Sequence, residues 1–329
     1  MAKQTLGFDI GVSEMKVVQW DGHEITHALR YSVPENLVKG GIIVSYDAMA
    51  DFIRESLKGS PFKGKNSAVI LPGSFAFLRN ITMPAMTVDQ LQINLPYEFR
   101  DFLDMGKDKY FYDYAVRRLT RGEDGVPTEM DLVAAAVPKE VIESYRRMFR
   151  RAGLRLQTAM PAEGAYANLL GQFDDIEGRE FAILDAGHTA TRLDIYTGQS
   201  YETTRVADIG LSSVDKALAD AFSVDEHIAR TYKESNHQGA QEREEAQTVY
   251  LAIATEVRKA VNFYGFSNRE SNLQDVWLCG GGVNIPAFRR AVAEATNLQL
   301  HPIQELYPPM AEGIRDAALF AGAIGAAIQ

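Results

Sequence analysis

Apolar and polar residues alternate along residues 5–20, and the alternation breaks once, around Gly11. A period of two predicts β-strands with one buried face, so this stretch is predicted to be a hairpin. A third strand is predicted over 24–33, followed by a helix over 45–59 and a buried strand over 66–73. Three antiparallel strands at the start distinguish the chain from a Rossmann unit, which opens with a strand, a helix and a strand.

Residues 83–155 have the pattern of an inserted subdomain. Thr87 and Gln90 form a capping-box pattern at the start of a helix. Apolar residues extend that helix to Phe102, and Pro96 is expected to kink it. The remaining predicted elements of the insert are strands over 111–119 and 130–137 and a helix over 139–153.

The second half of the chain repeats the plan of the first. A strand over 154–161 and a helix over 162–173 lead to a second predicted hairpin over 181–198 and a third strand over 201–210. The elements predicted after it are helices within 211–264, the last of them running from 242 to 264, a buried strand from 276 that ends in three glycines, a helix over 286–295 and a terminal helix over 317–329. The repeated order predicts two pseudo-symmetric domains that face a cleft.

The two predicted hairpins also share four chemically similar residues at equal spacing. The matched pairs are Asp9 and Asp185, Gly11 and Gly187, Ser13 and Thr189, and Lys16 and Arg192, and each pair is separated by 176 positions. A single Asp-x-Gly turn is weak evidence, because both residues suit tight turns. Two copies at one spacing indicate a duplicated unit with a common task.

The two predicted hairpins are expected to bind a polyphosphate. Turns with glycine and a short hydroxyl residue free backbone N–H groups to face an anion, so Gly11, Ser13, Gly187 and Thr189 are candidate phosphate contacts. Lys16 is a candidate point charge for a phosphate, or an outward strand charge. Arg192 is interpreted as structural.

Asp9 and Asp185 are the candidate ligands of a hydrated divalent cation beside that phosphate. Turn capping is the alternative role for both.

Three further features are candidates with ordinary alternatives. Gly280, Gly281 and Gly282 follow a strand and precede a helix, which suits the floor of a nucleoside pocket or a flexible turn. Glu256 and Lys259 share one helix face and are candidates to contact a ribose or base, or to form a surface ion pair. Glu163 is the candidate catalytic residue that positions a water, or an ordinary acid in a first helical turn.

Composition narrows the choice of function. The 329 residues carry a net charge of −10, which disfavours extended nucleic-acid binding. The single cysteine, Cys279, is interpreted as a buried apolar residue in a reducing compartment. No signal-peptide pattern and no run of 18 apolar residues is present, so we expect a cytoplasmic protein without direct membrane insertion.

The motifs together resemble those of the actin, Hsp70 and sugar-kinase superfamily. The two hairpins resemble its phosphate motifs, MPAEGAYA (160–167) resembles its first connecting helix, and VWLCGGGVNIPAF (276–288) resembles its adenosine motif. The resemblance implies an α/β actin-like fold, in which two duplicated ribonuclease H-like lobes surround a nucleotide cleft.

Within that superfamily the chain is similar to the PilM family of type IV pilus assembly proteins. FDIGVSEMKVVQ, the insert segment LVAAAVPKEVIESYRRMFRRAGL and TEVRKAVNFYGF carry the likeness. The subdomains that the resemblance implies are 1A over 1–82 and 156–180, the inserted 1C over 83–155, 2A over 181–208 and 272–329, and 2B over 209–271.

The PilM resemblance further implies binding of ATP or ADP with Mg²⁺. It also implies capture of the N-terminal tail of a PilN-like membrane protein by 1A and 1C. Such a protein would act as a scaffold peripheral to the inner membrane and be at most a slow ATPase, and self-association is compatible with it.

Two other functions remain open at this point. One is a filament-forming or cell-division protein like FtsA, although the tail AALFAGAIGAAIQ lacks the basic face of an amphipathic anchor. The other is a sugar-kinase-like phosphotransferase, for which Glu163 is the only candidate base. Polymers formed with ATP would favour the first, and phosphate transfer to a small substrate would favour the second.

Overall fold

The computed structural model describes residues 4–103, 106–173, 176 and 178–328, and it consists of two lobes and an inserted subdomain. The first lobe is built on β1 (Thr5–Ile10), β2 (Glu14–Trp20), β3 (Ile25–Ser32), the short pair β4 (Val38–Lys39) and β5 (Ile42–Ile43), α1 (Tyr46–Leu57) and β6 (Asn66–Leu71). The chain leaves this lobe after β6 and returns to it later.

The inserted subdomain is a three-stranded antiparallel sheet with a helix on one face. Its elements are β7 (Phe77–Pro84), α2 (Val88–Glu98), a 3₁₀ turn (Lys107–Lys109), β8 (Tyr110–Arg121) and β9 (Pro127–Pro138). The next helix, α3 (Lys139–Arg151), packs against α1 in the core of the first lobe. The strand order is β7-β9-β8, and Leu91, Leu95 and Phe99 pack against the sheet.

The start and end of α2 test two predictions about this helix. The predicted capping box is confirmed, because Thr87 and Gln90 bond reciprocally. The predicted extension of α2 to Phe102 is wrong: the helix ends at Glu98, two residues after Pro96. A proline removes one backbone donor and disfavours helical geometry in the residue before it, which is consistent with an early end.

The chain then returns to the first lobe with β10 (Arg155–Pro161) and α4 (Ala162–Leu170). The completed sheet has the order β10-β6-β1-β2-β3, in which β10, β6 and β1 run parallel and β1, β2 and β3 run antiparallel.

The second lobe follows the same plan. Its elements are β11 (Glu180–Ala186), β12 (Thr191–Thr197), β13 (Ser200–Ala207), α5 (Leu211–Phe222), α6 (Glu226–Ser235), α7 (Glu244–Ser267), β14 (Asp275–Gly280), α8 (Pro286–Thr296), β15 (Gln299–Pro302) and α9 (Ala321–Ala327), with 3₁₀ turns at His237–Glu242, Gly281–Asn284, Ile303–Leu306 and Ala317–Phe320. The sheet order is β15-β14-β11-β12-β13.

The two sheets match strand for strand. In both, a hairpin and a third strand are antiparallel, and two further strands add in parallel beside the first. The pairing register repeats as well, because Asp9 lies opposite Lys16 in one hairpin and Asp185 lies opposite Arg192 in the other. The predicted duplication is therefore confirmed at the level of backbone hydrogen bonds.

Helix α9 joins the lobes, since it follows the second lobe in sequence yet packs on the first. Its residues are almost all Ala or Gly and all are buried. A Cβ atom on Gly7 would lie 2.0 Å from the carbonyl oxygen of Ala323, and one on Gly325 would lie 2.1 Å from that of Ala165. Small residues are needed here because the backbones of β1, α9 and α4 approach this closely.

Candidate functional site

The two hairpin turns are closed in the same way. The amide of Gly11 donates to the carbonyl of Glu14 at 2.9 Å, and the amide of Gly187 donates to the carbonyl of Ala190 at 3.1 Å. A Cβ on Gly11 would lie 3.0 Å from the first carbonyl oxygen, and one on Gly187 would lie 2.8 Å from the second. A side chain at Gly187 would therefore displace the turn, and one at Gly11 would be tight against it.

Lys16 links the acidic residues of the two hairpins. Its ammonium lies 3.3 Å from Asp9 Oδ2, and its side chain is 19 % exposed. Burial opposes the charge on Lys16, but attraction to Asp9 and then to Asp185 outweighs it and raises the pKa of the ammonium. We call the place where Asp9, Lys16 and Asp185 meet the junction. It brings together the residues that the sequence predicted from two distant segments.

Asp185 lies at the base of the junction. Desolvation raises the pKa of its carboxyl, and the charge of Lys16 partly offsets that effect. The hydroxyl of Tyr166 donates to Asp185 Oδ2 at 3.0 Å, and the thiol of Cys279 donates to the Tyr166 oxygen at 3.6 Å. Cys279 is 1 % exposed, and burial raises the pKa of its thiol well above the usual range. Its interpretation as a buried apolar residue is confirmed.

The glycine run packs directly behind Asp185. Gly280 has φ +77°, and a Cβ on it would lie 2.4 Å from Asp185 Oδ1. A Cβ on Gly282 would lie 2.5 Å from the Cβ of Ala186, and one on Gly281 would lie 3.0 Å from a methyl carbon of Leu211. Protein packing thus explains these glycines, and their contact with a nucleoside stays a prediction.

Arg192 is bound in a buried network of side chains. Its guanidinium contacts Asp194 in a bidentate manner at 2.6 and 2.8 Å, and it lies 2.5 Å from Glu163 Oε1. The Thr204 hydroxyl also donates to Asp194. We call Glu163, Arg192 and Asp194 the buried triad. The interpretation of Arg192 as structural agrees with these contacts, and a role for Glu163 in positioning water stays a prediction.

The remaining predicted contacts with the nucleotide form two groups, which lie in different places. Among the described residues, neither the Ser13 nor the Thr189 hydroxyl takes part in a hydrogen bond, so both are available to a ligand. Glu256 and Lys259 bond to each other at 2.7 Å on the exposed face of α7, beside the end of β13. Within the part of the chain that the structure describes, no hydrogen bond or ion pair joins them to the junction. Their contact with a nucleotide remains untested.

Two polar contacts join α6 to the first lobe. Arg230 lies 3.9 Å from Glu14, and His227 lies 3.3 Å from Glu35. His188 lies nearby in the second turn, where burial and then the charge of Arg230 lower its pKa. The two lobes are thus held close together on the side of the hairpin turns.

A groove of about 780 Å³ lies between the insert and the first lobe. It is bounded by β8 of the insert, by α3, β10 and α4 of the first lobe, and by the start of β13. Its charged lining residues are Asp113, Arg117, Arg146 and Glu163. Within their sheets β8 and β10 are both outermost strands, so the groove separates two sheet edges.

Three residues around the site were not predicted: Tyr166, Asp194 and Thr204. A signal for one of them exists, because Asp194 is an acidic residue between the apolar residues Leu193 and Ile195, and it is 0 % exposed in the structure. Acidic residues are rarely fully buried without a partner, which points to the nearby Arg192. Tyr166 and Thr204 have no comparable signal.

Comparison with known proteins places this arrangement in a family. A family model described as type IV pilus assembly protein PilM matches residues 7–314. No curated protein sequence matches.

Two solved structures show the same fold. One is titled as the PilM-PilN type IV pilus biogenesis complex and has a TM-score of 0.83 at 20 % identity over 100 % of this chain and 98 % of that one. The other is ethanolamine utilization protein EutJ from Carboxydothermus hydrogenoformans, with a TM-score of 0.62 at 16 % identity over 99 % and 89 % of the two chains. The predicted α/β actin-like fold with two lobes is confirmed. Within the described residues no helix combines the length and the apolar character that crossing a membrane requires.

Proposed function

The chain belongs to the type IV pilus assembly protein PilM family, and on this premise we propose that it is a nucleotide-binding scaffold. In this proposal the groove captures the N-terminal tail of a PilN-like membrane protein on the cytoplasmic side of the inner membrane. The junction binds ATP or ADP with Mg²⁺ and sets the relative positions of the two lobes. Binding of nucleotide would then bias partner binding by shifting populations.

The observation that carries the proposal is the groove between the insert and the first lobe. Its volume of about 780 Å³ falls within the range of ligand sites. Apolar residues from both walls line it, including Phe111, Val137 and Leu156, and Asp113 and Arg117 stand on the β8 wall. A channel with apolar walls and a few fixed charges suits a short extended peptide with alternating side chains.

The junction fits a nucleotide with a divalent cation. Two carboxylates, Asp9 and Asp185, face a common ammonium, and the described residues contain no group of three or more metal-binding side chains. Mg²⁺ usually binds one or two carboxylates and takes its other ligands from phosphate oxygens and water. These two residues would hold the ion that accompanies the phosphates, and Lys16 would face the phosphate charge. Hydrolysis is expected to be slow, because Glu163, the only candidate base, is paired with Arg192 through one oxygen and lines the groove.

The partner part of the proposal is tested by calorimetry with synthetic cytoplasmic tails of PilN-like proteins, with and without ATP. We expect one tail to bind and Ala115→Trp, which fills an exposed position on the groove wall, to abolish binding. Leu119→Trp is the matched control, because it lies on the same strand outside the groove lining. Failure of every tail to bind the folded chain would refute the assignment.

The nucleotide part is tested by Asp9→Ala. Removing this carboxylate should weaken ATP binding in the presence of Mg²⁺ about tenfold or more, as expected for a lost contact to a charged group. Asp47→Ala is the control, since that side chain is 81 % exposed on α1. Unchanged ATP affinity in Asp9→Ala would count against the junction as the nucleotide site.

A further inference from the structure

The floor of the groove contains an acidic oxygen without a protein partner. Glu163 is 7 % exposed, and it lines the groove where α4 begins. Its Oε1 faces Arg192 at 2.5 Å, whereas its Oε2 is buried and accepts no hydrogen bond from the described residues. A buried carboxylate oxygen without a donor is costly, so a ligand that supplies one gains binding energy.

The charges around Glu163 favour a cationic donor. Two carboxylates, Glu163 and Asp194, share the single guanidinium of Arg192. Burial raises the pKa of Asp194, and the bidentate contact with Arg192 partly offsets that effect. The buried triad thus places two acidic side chains against one basic side chain. The Thr204 hydroxyl, which lies between the two carboxylates, contributes no charge.

Among the described residues, no hydrogen bond or ion pair joins the two basic lining residues, Arg117 and Arg146, to Glu163. Arg117 is paired with Glu202 on β13, and Arg146 is exposed on α3. Asp113 is exposed on the β8 wall and accepts a hydrogen bond from the amide of Tyr114. Among the described lining residues, Glu163 is therefore the only buried carboxylate that a cation entering the groove could meet.

We propose that the floor of the groove is a subsite for a lysine or arginine side chain of the bound peptide, with Glu163 Oε2 as its acceptor. The inference rests on the proposed function of the groove as a peptide site. A long side chain is required because the oxygen is buried beneath the lining, and an aliphatic stem suits the apolar walls.

The test is a lysine and norleucine scan of the PilN-like tail, with affinities measured by calorimetry. Each position of the peptide is replaced in turn by lysine and by norleucine, which has a similar aliphatic stem without the charge. At one position we expect the lysine peptide to bind the unmodified chain about tenfold or more tightly than the norleucine peptide. In Glu163→Gln that ratio should fall to near one.

The ratio of the lysine-peptide affinity to the norleucine-peptide affinity distinguishes loss of this subsite from a general disturbance of the groove. A disturbed groove would weaken both peptides alike and leave their ratio unchanged. Asp113→Asn is the matched control, because it removes a negative charge from the exposed wall and should retain the preference. If Glu163→Gln does not fold, Glu163→Asp withdraws the carboxylate by one methylene and should also reduce the ratio.

Two results would overturn the inference while leaving the proposed function intact. One is a tail that binds without preferring lysine at any position, and the other is a preference that persists in Glu163→Gln. Absence of binding by every peptide to the unmodified chain would overturn the proposed function and the subsite together.

Discussion

The two hairpins have the same backbone but direct their basic residues to different places. In the first, Lys16 pairs with Asp9 across the hairpin and faces Asp185 at the junction. In the second, Arg192 occupies the matching register position opposite Asp185 but is bound by Asp194 and Glu163. One copy therefore presents its charge to the junction, and the other uses it to hold the floor of the groove.

The difference follows from the residues two positions further along each strand. Val18 in β2 is apolar and fully buried, so no buried acidic residue lies two positions after Lys16 to bind its ammonium. Asp194 in β12 is acidic and fully buried, so the guanidinium is needed as its partner. A duplicated backbone can thus serve two sites when a single buried residue differs between the copies.

The largest expected effect is a difference in stability between variants of the two basic residues. Arg192→Met leaves Glu163 and Asp194 buried without a cation and should lower the free energy of unfolding by about 3–5 kcal/mol. Lys16→Met should lower it by less than about 1 kcal/mol, because its pair is partly exposed. Urea denaturation measures both. Equal effects would show that the two copies do not differ in this way.

The second comparison concerns two glycines, Gly280 at the end of β14 and Gly73 shortly after β6. Gly280→Ala should cost about 1–3 kcal/mol or more, because a side chain disfavours that backbone conformation. The added Cβ would also approach Asp185 Oδ1 at 2.4 Å.

The control for Gly280→Ala is Gly73→Ala, at the turn that follows β6. A Cβ there meets only a guanidinium nitrogen of Arg192 at 3.8 Å, which is ordinary contact. This variant should change the free energy of unfolding by no more than about 0.5 kcal/mol. A large loss in both variants would mean that the two strand ends are equally constrained.

The third comparison uses nucleotide affinity. Lys16→Met should weaken ATP binding about tenfold, since it removes a charged contact to phosphate, and should leave binding of adenosine unchanged. Calorimetry with both ligands distinguishes the two cases. If adenosine binding falls equally, Lys16 supports the fold of the junction and does not contact phosphate.

The smallest expected effect concerns His188, which stands where the first hairpin has Val12. Because burial lowers its pKa in the folded protein, the folded state favours neutral His188. Its contribution to stability is therefore present above the unfolded pKa of about 6.5 and is lost as the pH falls below that value.

The His188→Asn variant measures that contribution. The difference in unfolding free energy between variant and unmodified chain should shift in favour of the variant between pH 8 and pH 5. Partial exposure limits the shift to less than about 1 kcal/mol. Glu14, Asp215, Arg230 and Lys233 also face His188, so a pH-independent difference would show that they compensate its charge.

Much of the fold could be predicted because both hairpins carry strong local signals. Alternation and the Asp-x-Gly turns predicted β1, β2, β11 and β12, and the equal spacing predicted that the two hairpins are copies of one unit. β7 and β15 were not predicted. β15 has only four residues, and its pairing with β14 depends on distant contacts. Such strands have little local pattern of their own.

The site was only partly predictable for a related reason. The aspartates and glycines of the turns could be identified from residue type and spacing. The structure brings Asp9, Lys16 and Asp185 together. The environment of Glu163 could not be foreseen, because it depends on the side to which Arg192 turns. That direction depends on the burial of Asp194 and on Thr204 in the neighbouring strand.

The position of α9 has a consequence for how the protein is made. The first lobe relies on this helix to cover β1 and α4, but α9 is translated after the whole second lobe. Domains usually form as units, amino-terminal first, during synthesis. Until α9 has been synthesised, the apolar face of the first lobe that this helix covers stays exposed. We therefore expect the nascent chain to need chaperone assistance during this interval.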